Sequence, residues 1–238
     1  MKNTNRILIV VGNPALTPHG ERVGFWAAEL THPYFEFNSA GYEVTIASPE
    51  GGKVEFDVYS DPRHPSGHSA RDLISLGFIH APVLMELLEN TPSAGSLSAD
   101  DYDAILIAGG SSPMFTFAQA ENLHDLFLSF WRAGKPSAAL CHGTALLLFL
   151  KNEADGKPFV SGKTITGSSN EKEVLIEQKV GEGFFPFRIE DEAKKRGANF
   201  IAHHALHPFA VRDGNLITGQ QEYSGALTAR LVLAALGH

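Results

Sequence analysis

The sequence predicts an α/β fold in which a largely parallel sheet carries helices on both faces. Short apolar runs alternate with longer amphipathic stretches along most of the 238 residues, and this alternation is typical of βαβ units. Gly and Pro residues interrupt the apolar runs where the chain has to turn. With 43% hydrophobic and 19% charged residues, the chain can bury a sizeable core without disulfides.

Three apolar runs in the first half of the chain predict buried strands. The first covers residues 7–11, Ile-Leu-Ile-Val-Val. A helix is expected over 23–40, stopped by Gly41, and the second strand over 42–47. The third strand covers 104–108. This order of strands and helices predicts parallel pairing.

The clearest predicted helix follows the third strand. Its apolar residues recur at i, i+3, i+4, i+7 and i+8 and form one stripe, namely Leu123, Leu126, Phe127, Phe130 and Trp131. Gly134 and Pro136 end this helix, and a fourth short strand is expected over 137–140.

The C-terminal third predicts two further helices and a hairpin. Helical patterns cover 187–196 and 227–236. Residues 209–212 and 215–218 flank Asp213-Gly214, which is a strong signal for a hairpin turn.

Residues 52–100 interrupt the alternation of strands and helices. The segment is rich in Pro, Gly, Ser and His, and only 82–89 has helical character. We interpret it as an inserted lid or cap within a single domain that spans residues 1–238.

Charge and cysteine content exclude several classes of protein. Lys and Arg total 19 against 27 Asp and Glu, a formal net charge of −8, whereas a nucleic-acid-binding surface is basic. The single cysteine rules out an internal disulfide and multi-cysteine metal sites. The N-terminal apolar run is too short for a signal peptide, and no apolar run approaches the roughly 18 residues of a membrane span. We therefore expect a cytoplasmic protein without nucleic-acid or membrane partners.

Cys141 stands where the fourth predicted strand gives way to the next helix. Ligands of open α/β sheets bind at the carboxyl ends of strands, and a tight turn there, helped by Gly143, lifts a nucleophile out of the sheet. The N-terminus of the following helix is expected to lower the thiol pKa. A lone cysteine after an apolar strand is otherwise a small buried hydrophobe, but the adjacent His142 favours a reactive thiol.

Four parts of the sequence resemble the ThiJ/PfpI superfamily, whose fold is similar to that of the class I glutamine amidotransferases. Residues 138–143, Ala-Ala-Leu-Cys-His-Gly, resemble its nucleophile elbow. Residues 24–33 with 41–44, then 161–167 and 213–220, resemble its glyoxalase III and heat-shock chaperone branch. The resemblance covers nearly the whole chain and implies a flavodoxin-like three-layer α/β/α sandwich.

This resemblance implies a Cys–His–Glu site. Cys141 would be the nucleophile and His142 the base that takes the thiol proton. Glu29 would orient the imidazole, as the carboxylate of a catalytic triad does. Glu21, just after the loop that leaves the first strand, is the competing carboxylate.

A glycine pair after the third strand resembles the second element of the family's site. The resemblance implies that the N–H groups of Gly109 and Gly110, with that of His142, form an oxyanion hole. An ordinary strand-to-helix turn would need the same glycines. Ser111-Ser112 stands where the branch has His-Gly, and Gln221-Glu222 where it has Asn-Pro. Both departures lie near the expected pocket mouth and leave the substrate open.

A zinc site formed by histidines is an alternative to the cysteine site. His203, His204 and His207 cluster near a predicted strand end, and His64 and His68 share a loop. There is no H-E-x-x-H pattern and no phosphate-binding glycine loop. His207 also lacks the following glutamate of a glutaminase triad. We expect neither a metal nor an organic cofactor.

The resemblance implies a cysteine-dependent enzyme, expected as a homodimer, that acts on small reactive carbonyl compounds. Methylglyoxal or glyoxal would be converted to a hydroxy acid, D-lactate in the first case, without glutathione. The Cys141 thiolate would add to the aldehyde, and His142 would move a proton between adjacent carbons. The alternatives are a stress-related holdase chaperone and a redox sensor in which Cys141 is oxidised to sulfinate.

Overall fold

A six-stranded sheet forms the centre of the protein. The computed structural model describes residues 5–238, which contain β1 (Arg6–Val10), β2 (Ala15–Leu16), β3 (Arg22–Val23), β4 (Glu43–Ala47), β5 (Ala104–Ile107), β6 (Ser137–Leu140), β7 (Thr164–Ile165), β8 (Asn199–Phe200), β9 (Ala210–Asp213) and β10 (Leu216–Gly219). The central sheet has the order β4-β1-β5-β6-β10-β9. The other strands form two small ribbons, β2 with β3 and β7 with β8.

The central sheet is parallel except for β9, which pairs antiparallel to β10. The hairpin predicted around Asp213-Gly214 is confirmed, and Gly214 has φ 61°, a left-handed conformation that favours glycine. The parallel pairing of β10 with β6 sets Gly219 opposite Leu140. The carboxyl ends of these two strands therefore meet at one edge of the sheet.

Helices cover both faces of this sheet. The described residues form α1 (Ala27–Ser39), α2 (Leu73–Ile79), α3 (Pro82–Glu86), α4 (Pro113–Thr116), α5 (Glu121–Arg132), α6 (Ala145–Phe149), α7 (Asn170–Val180), α8 (Ile189–Lys195) and α9 (Gly225–Leu236). The stripe predicted for α5 is buried except for Trp131, which is half-buried. Among these helices of residues 5–238, we find none with the length and apolar surface needed to cross a bilayer.

Two hydrophobic cores lie on opposite faces of the sheet, because alternate residues of each strand point to opposite sides. Leu8 and Ile105 belong to the core beneath α5, α6 and α8. Ile9 and Leu106 belong to the core beneath α1 and α9. The predicted three-layer α/β/α sandwich is therefore confirmed.

The helices differ from the predictions at several points, of which two bear on the site. The predicted helix over 23–40 begins only at Ala27, because Trp26 is extended, with φ −81° and ψ 124°. No helix was predicted over α7, whose residues are mostly polar and form no apolar stripe. Its Ser169 nevertheless caps the first turn by accepting a hydrogen bond from the Lys172 N–H.

The segment 52–100 packs on α1 through α2. The Thr31 and Ser75 hydroxyl oxygens are 2.7 Å apart, and His32 Nε2 lies 2.9 Å from Asp72 Oδ1. Only α3 was predicted within this segment. Its function as a lid stays a prediction.

Candidate active site

Cys141 lies on a strained turn at the carboxyl end of β6. Its φ is 55°, an uncommon conformation for a residue with a Cβ atom. The Thr144 hydroxyl donates to the Cys141 carbonyl oxygen over 2.6 Å. A Cβ atom on Gly143 would lie 2.6 Å from the Ile107 carbonyl oxygen, so the turn needs glycine there. This geometry is that of a nucleophile elbow.

His142 lies between the cysteine and a carboxylate. Its Nδ1 is 3.8 Å from Cys141 Sγ, and its Nε2 is 2.8 Å from Glu173 Oε1. The side chains of His142 and Glu173 are only 4% and 2% exposed. When Nε2 carries the proton and donates it to Glu173, the lone pair of Nδ1 faces the thiol. The arrangement allows His142 to accept the thiol proton.

Glu173, rather than Glu29, is the carboxylate that orients the imidazole. It lies in the first turn of α7, and the Ser168 hydroxyl donates to the same carboxylate oxygen. Burial favours protonation, but the charge on His142 and hydrogen bonds from His142 and Ser168 outweigh it and lower the pKa of Glu173. Sequence reasoning missed this residue, although Ser169 followed by acidic residues is a helix-start signal.

Glu29 lies on the other side of the sulfur. Its carboxyl is hydrogen-bonded to the Cys141 thiol, and its Oε2 accepts a hydrogen bond from the Gly109 N–H over 2.8 Å. The alternative, Glu21, is exposed and binds the Thr17 hydroxyl. The structure thus brings Glu29 to Cys141, but it does not place it against His142.

Burial shifts the pKa values of both Glu29 and Cys141. Desolvation raises the pKa of Glu29 well above its ordinary value. Desolvation and the nearby carboxylates of Glu29 and Glu222 also raise the pKa of the Cys141 thiol. The helix-terminus argument predicted a lowered thiol pKa; α6 has only five residues, and burial outweighs its dipole. The resting site therefore holds a neutral thiol whose proton has to pass to a base.

Gly109 and Gly110, the two glycines after β5, have different structural roles. The Gly109 N–H is already engaged by Glu29, so it is not an open oxyanion donor as the resemblance implied. Gly110 has φ 103°, and a Cβ atom there would lie 2.3 Å from the Trp26 nitrogen. Within residues 5–238, the N–H groups of Gly110 and His142 have no hydrogen-bond acceptor. These two groups are free to face a substrate oxygen.

Asp57 holds the loop that carries these glycines. Its two carboxylate oxygens accept hydrogen bonds from the Gly24 N–H over 2.9 Å and from the Ser111 N–H over 2.6 Å. The side chain is buried, and desolvation raises its pKa although those hydrogen bonds oppose the shift. Asp57 belongs to the segment 52–100, which therefore shapes the site. Sequence reasoning missed it.

Aromatic rings cover the imidazole. The Phe185 ring centre lies 4.4 Å from that of His142, and Phe184 packs edge-on against Phe185 at 4.9 Å. Phe115 contacts both phenylalanines. This apolar cover limits water near His142 and strengthens its interaction with Glu173.

The histidine clusters do not form a metal site. The rings of His203, His204 and His207 have centres 5.1 to 6.5 Å apart, and His204 lies 3.9 Å from Glu171. Across residues 5–238, however, no three His, Cys, Asp or Glu side chains are arranged to hold a metal ion. His64 binds Ser66. The zinc alternative therefore has no support from the geometry.

Comparisons with known proteins agree with the fold. The DJ-1/PfpI family matches residues 23–234. A probable glutathione-independent glyoxalase of Schizosaccharomyces pombe is 31% identical over 242 residues, covering 91% of this chain and 92% of the relative. Glyoxalase 3 of Candida albicans is 28% identical, with 94% of each chain covered.

Two solved structures superpose on nearly the whole chain. The 24-kDa rapid encystment protein of Francisella tularensis has a TM-score of 0.86 at 26% identity, with 98% of this chain and 99% of that chain covered. Glyoxalase III of Candida albicans has a TM-score of 0.81 at 26% identity, with 98% of both chains covered. With its strained elbow cysteine, its three-layer sandwich and these matches, the chain belongs to the DJ-1/PfpI family.

Proposed function

We propose that this protein is a glutathione-independent glyoxalase that converts a small 2-oxoaldehyde to a 2-hydroxy acid. The observation that carries the proposal is the buried chain of contacts from Cys141 Sγ to His142 Nδ1 and from His142 Nε2 to Glu173. The relatives named as glyoxalases support the substrate class.

The first step is attack of the Cys141 sulfur on the aldehyde carbon. His142 Nδ1 takes the thiol proton as the C–S bond forms, and Glu173 stabilises the imidazolium. The N–H groups of Gly110 and His142 bind the developing oxyanion, and each such donor stabilises it by about 3 kcal/mol. His142 then gives this proton to the oxyanion, so that the product is a neutral hemithioacetal and His142 is again free to act as a base.

Proton transfer between the two carbons completes the internal redox change. A base, His142, removes the proton from the former aldehyde carbon to give an enediol, and the neighbouring carbon is then protonated. The former aldehyde carbon becomes a thioester, oxidised by two electrons, while the adjacent ketone becomes an alcohol. Water hydrolyses the thioester and restores the thiol, so that the net reaction adds one water to the substrate.

Glu29 assists the sulfur in this scheme. Desolvation raises its pKa and so favours the protonated form, and a protonated Glu29 donates a hydrogen bond to the sulfur when the thiol proton has left. Protonated Glu29 thereby avoids placing a second negative charge beside the thiolate.

Purified protein incubated with methylglyoxal tests the proposal. We expect methylglyoxal to disappear and D-lactate to form in equal amounts without glutathione, and Cys141→Ala to abolish both. Turnover by Cys141→Ala equal to that of the wild type would overturn the mechanism. The Cys141→Ala protein also serves as a control for uncatalysed addition of methylglyoxal to surface lysines and arginines.

The redox-sensor alternative is weaker on the same geometry. Oxidation of a cysteine follows its exposure and its thiolate fraction. Cys141 is only 4% exposed, and its pKa is raised. Both properties slow the reaction of the resting thiol with peroxide.

We further propose that the enzyme works as a homodimer in the cytoplasm. The resemblance to the family supports the dimer, and the single cysteine, kept as a free thiol, fits a reducing compartment. Light scattering coupled to size-exclusion chromatography tests the dimer, and a mass of one chain would refute it.

A further inference from the structure

A buried ion pair lies at the site, and the proposed reaction does not use it. The Lys172 ammonium donates to Glu222 Oε1 over 2.5 Å, and the two residues are 8% and 6% exposed. Charges as deeply buried as these are retained only when they are paired. The pair therefore calls for an explanation in terms of function as well as stability.

Chain connections place both partners at the elbow. Lys172 directly precedes Glu173, whose carboxylate binds His142. Glu222 follows β10, and the last residue of β10, Gly219, is paired with Leu140 next to the nucleophile. Lys172, on α7, and Glu222, after β10, therefore both lie at the carboxyl edge of the sheet.

Both charges act on the reacting groups. The carboxylate of Glu222 raises the pKa of Cys141 and of Glu29, and the ammonium of Lys172 lowers the pKa of both. The same two charges also act on His68, which is exposed. The pair is therefore coupled electrostatically to the buried sulfur and also to an exposed histidine.

Most of the buried ionisable groups near Cys141 in the described chain are carboxyl groups. They are those of Glu29, Asp57, Glu173 and Glu222, and the Lys172 ammonium acts on Glu29 and Glu173 and is paired with Glu222. An unpaired ammonium here would attract anions, since charges interact strongly where water is excluded. Paired with Glu222, it presents no net positive charge.

We propose that Glu222 is a specificity-determining residue: by occupying the Lys172 ammonium it makes the surroundings of Cys141 reject anions, so that an uncharged dicarbonyl enters and a carboxylate product leaves. The role in substrate entry and product release rests on the proposed glyoxalase function. The rejection of anions does not, because it follows from the ion pair and the surrounding carboxylates alone.

Alkylation of Cys141 measures this rejection directly. The chain has one cysteine, so the label reports a single site. Iodoacetamide is neutral and iodoacetate is an anion of nearly the same size, and with either reagent an S–C bond forms as iodide leaves. The ratio of the two rate constants cancels changes in thiol ionisation and exposure, which affect both reagents alike.

For the wild type, we expect the ratio of the iodoacetate rate constant to the iodoacetamide rate constant to be at least about tenfold lower than the same ratio for free 2-mercaptoethanol. Glu222→Gln should raise the ratio by about tenfold or more, because it frees the Lys172 ammonium. The double variant Lys172→Met/Glu222→Gln should return to within about twofold of the wild type. Glu171→Gln, which changes an exposed carboxylate beside Lys172, is the matched control and should leave the ratio unchanged.

A Glu222→Gln ratio within about twofold of the wild type would overturn the proposal. An increase that persists in the double variant, which has no ammonium, would overturn it as well. If circular dichroism shows that the variants are unfolded, the wild-type ratio still tests the proposal. A wild-type ratio equal to that of 2-mercaptoethanol would refute the rejection of anions.

The outcome separates this proposal from the glyoxalase proposal. Alkylation needs no turnover, so the expected ratios without methylglyoxal consumption would leave anion rejection standing and refute the activity. If the enzyme is active, D-lactate should inhibit Glu222→Gln at a concentration at least about tenfold lower than it needs for the wild type.

Discussion

His142 and Glu173, 31 residues apart in the chain, are joined by a buried hydrogen bond of 2.8 Å. The contact gives the histidine a fixed orientation and a preferred site for its proton, because the carboxylate accepts from Nε2. It links α7 to the elbow after β6. In the mechanism that we propose, the charge and position of Glu173 therefore control the ability of His142 to act as a base.

Replacing Glu173 by Gln should lower kcat for methylglyoxal by about 10³- to 10⁴-fold, because the amide can stabilise neither the correct tautomer nor the imidazolium. Steady-state kinetics of purified variants measure the effect. Glu171→Gln alters a carboxylate that is 59% exposed in the same turn and should change kcat by no more than about twofold. Equal losses in the two variants would remove Glu173 from the mechanism.

Replacing Glu29 by Gln should change how stability depends on pH. The pKa of Glu29 is raised above its ordinary 4.5, so as pH rises past this value the unfolded chain releases the proton before the folded chain does. The wild type thus loses stability from about pH 4.5 up to the raised pKa, and Glu29→Gln lacks this loss. Urea unfolding at several pH values gives the difference between the two proteins, and a difference independent of pH would contradict the assignment.

Replacing Gly110 by Ala should destabilise the protein by about 2–5 kcal/mol, because it adds left-handed strain to a backbone clash. The new Cβ would lie 2.3 Å from the Trp26 nitrogen. Gly41→Ala is the matched control: Gly41 has φ 88° with nothing within 4 Å of a Cβ, so it should cost only about 1–2 kcal/mol. Chemical denaturation measures both, and equal costs would show that the close approach to Trp26 is unimportant.

Replacing Asp57 by Asn should destabilise the protein by about 1–3 kcal/mol and lower activity. The amide NH₂ group would face one of the N–H donors of Gly24 and Ser111, which leaves that buried donor unpaired. Asp100→Asn, an exposed change in the same segment, should be neutral in both respects. Activity and urea unfolding of the two variants test this, and full activity of Asp57→Asn would show that the loop after β5 needs no anchor.

Local patterns in the sequence were enough for the architecture and for the position of Cys141. The apolar runs of β1, β5 and β6 and the stripe of α5 are periodic over a few residues, and the Asp213-Gly214 turn is a short-range signal. Cys141 follows the β6 run directly, so its place at the elbow needed no knowledge of distant contacts. These features depend on neighbours in the chain, and the structure confirms them.

Only the tertiary structure determines which carboxyl group contacts which residue of the site. Nothing in the spacing of Glu29, Glu173 and Glu222 tells which one meets the imidazole, which one the thiol and which one the lysine. These pairings depend on how α1, α7 and the end of β10 pack around the elbow, since burial forces each carboxyl group to find a partner. The same packing raises the pKa of the thiol in spite of the dipole of the short α6. A local sequence pattern cannot predict this result, because desolvation depends on every chain segment around the sulfur.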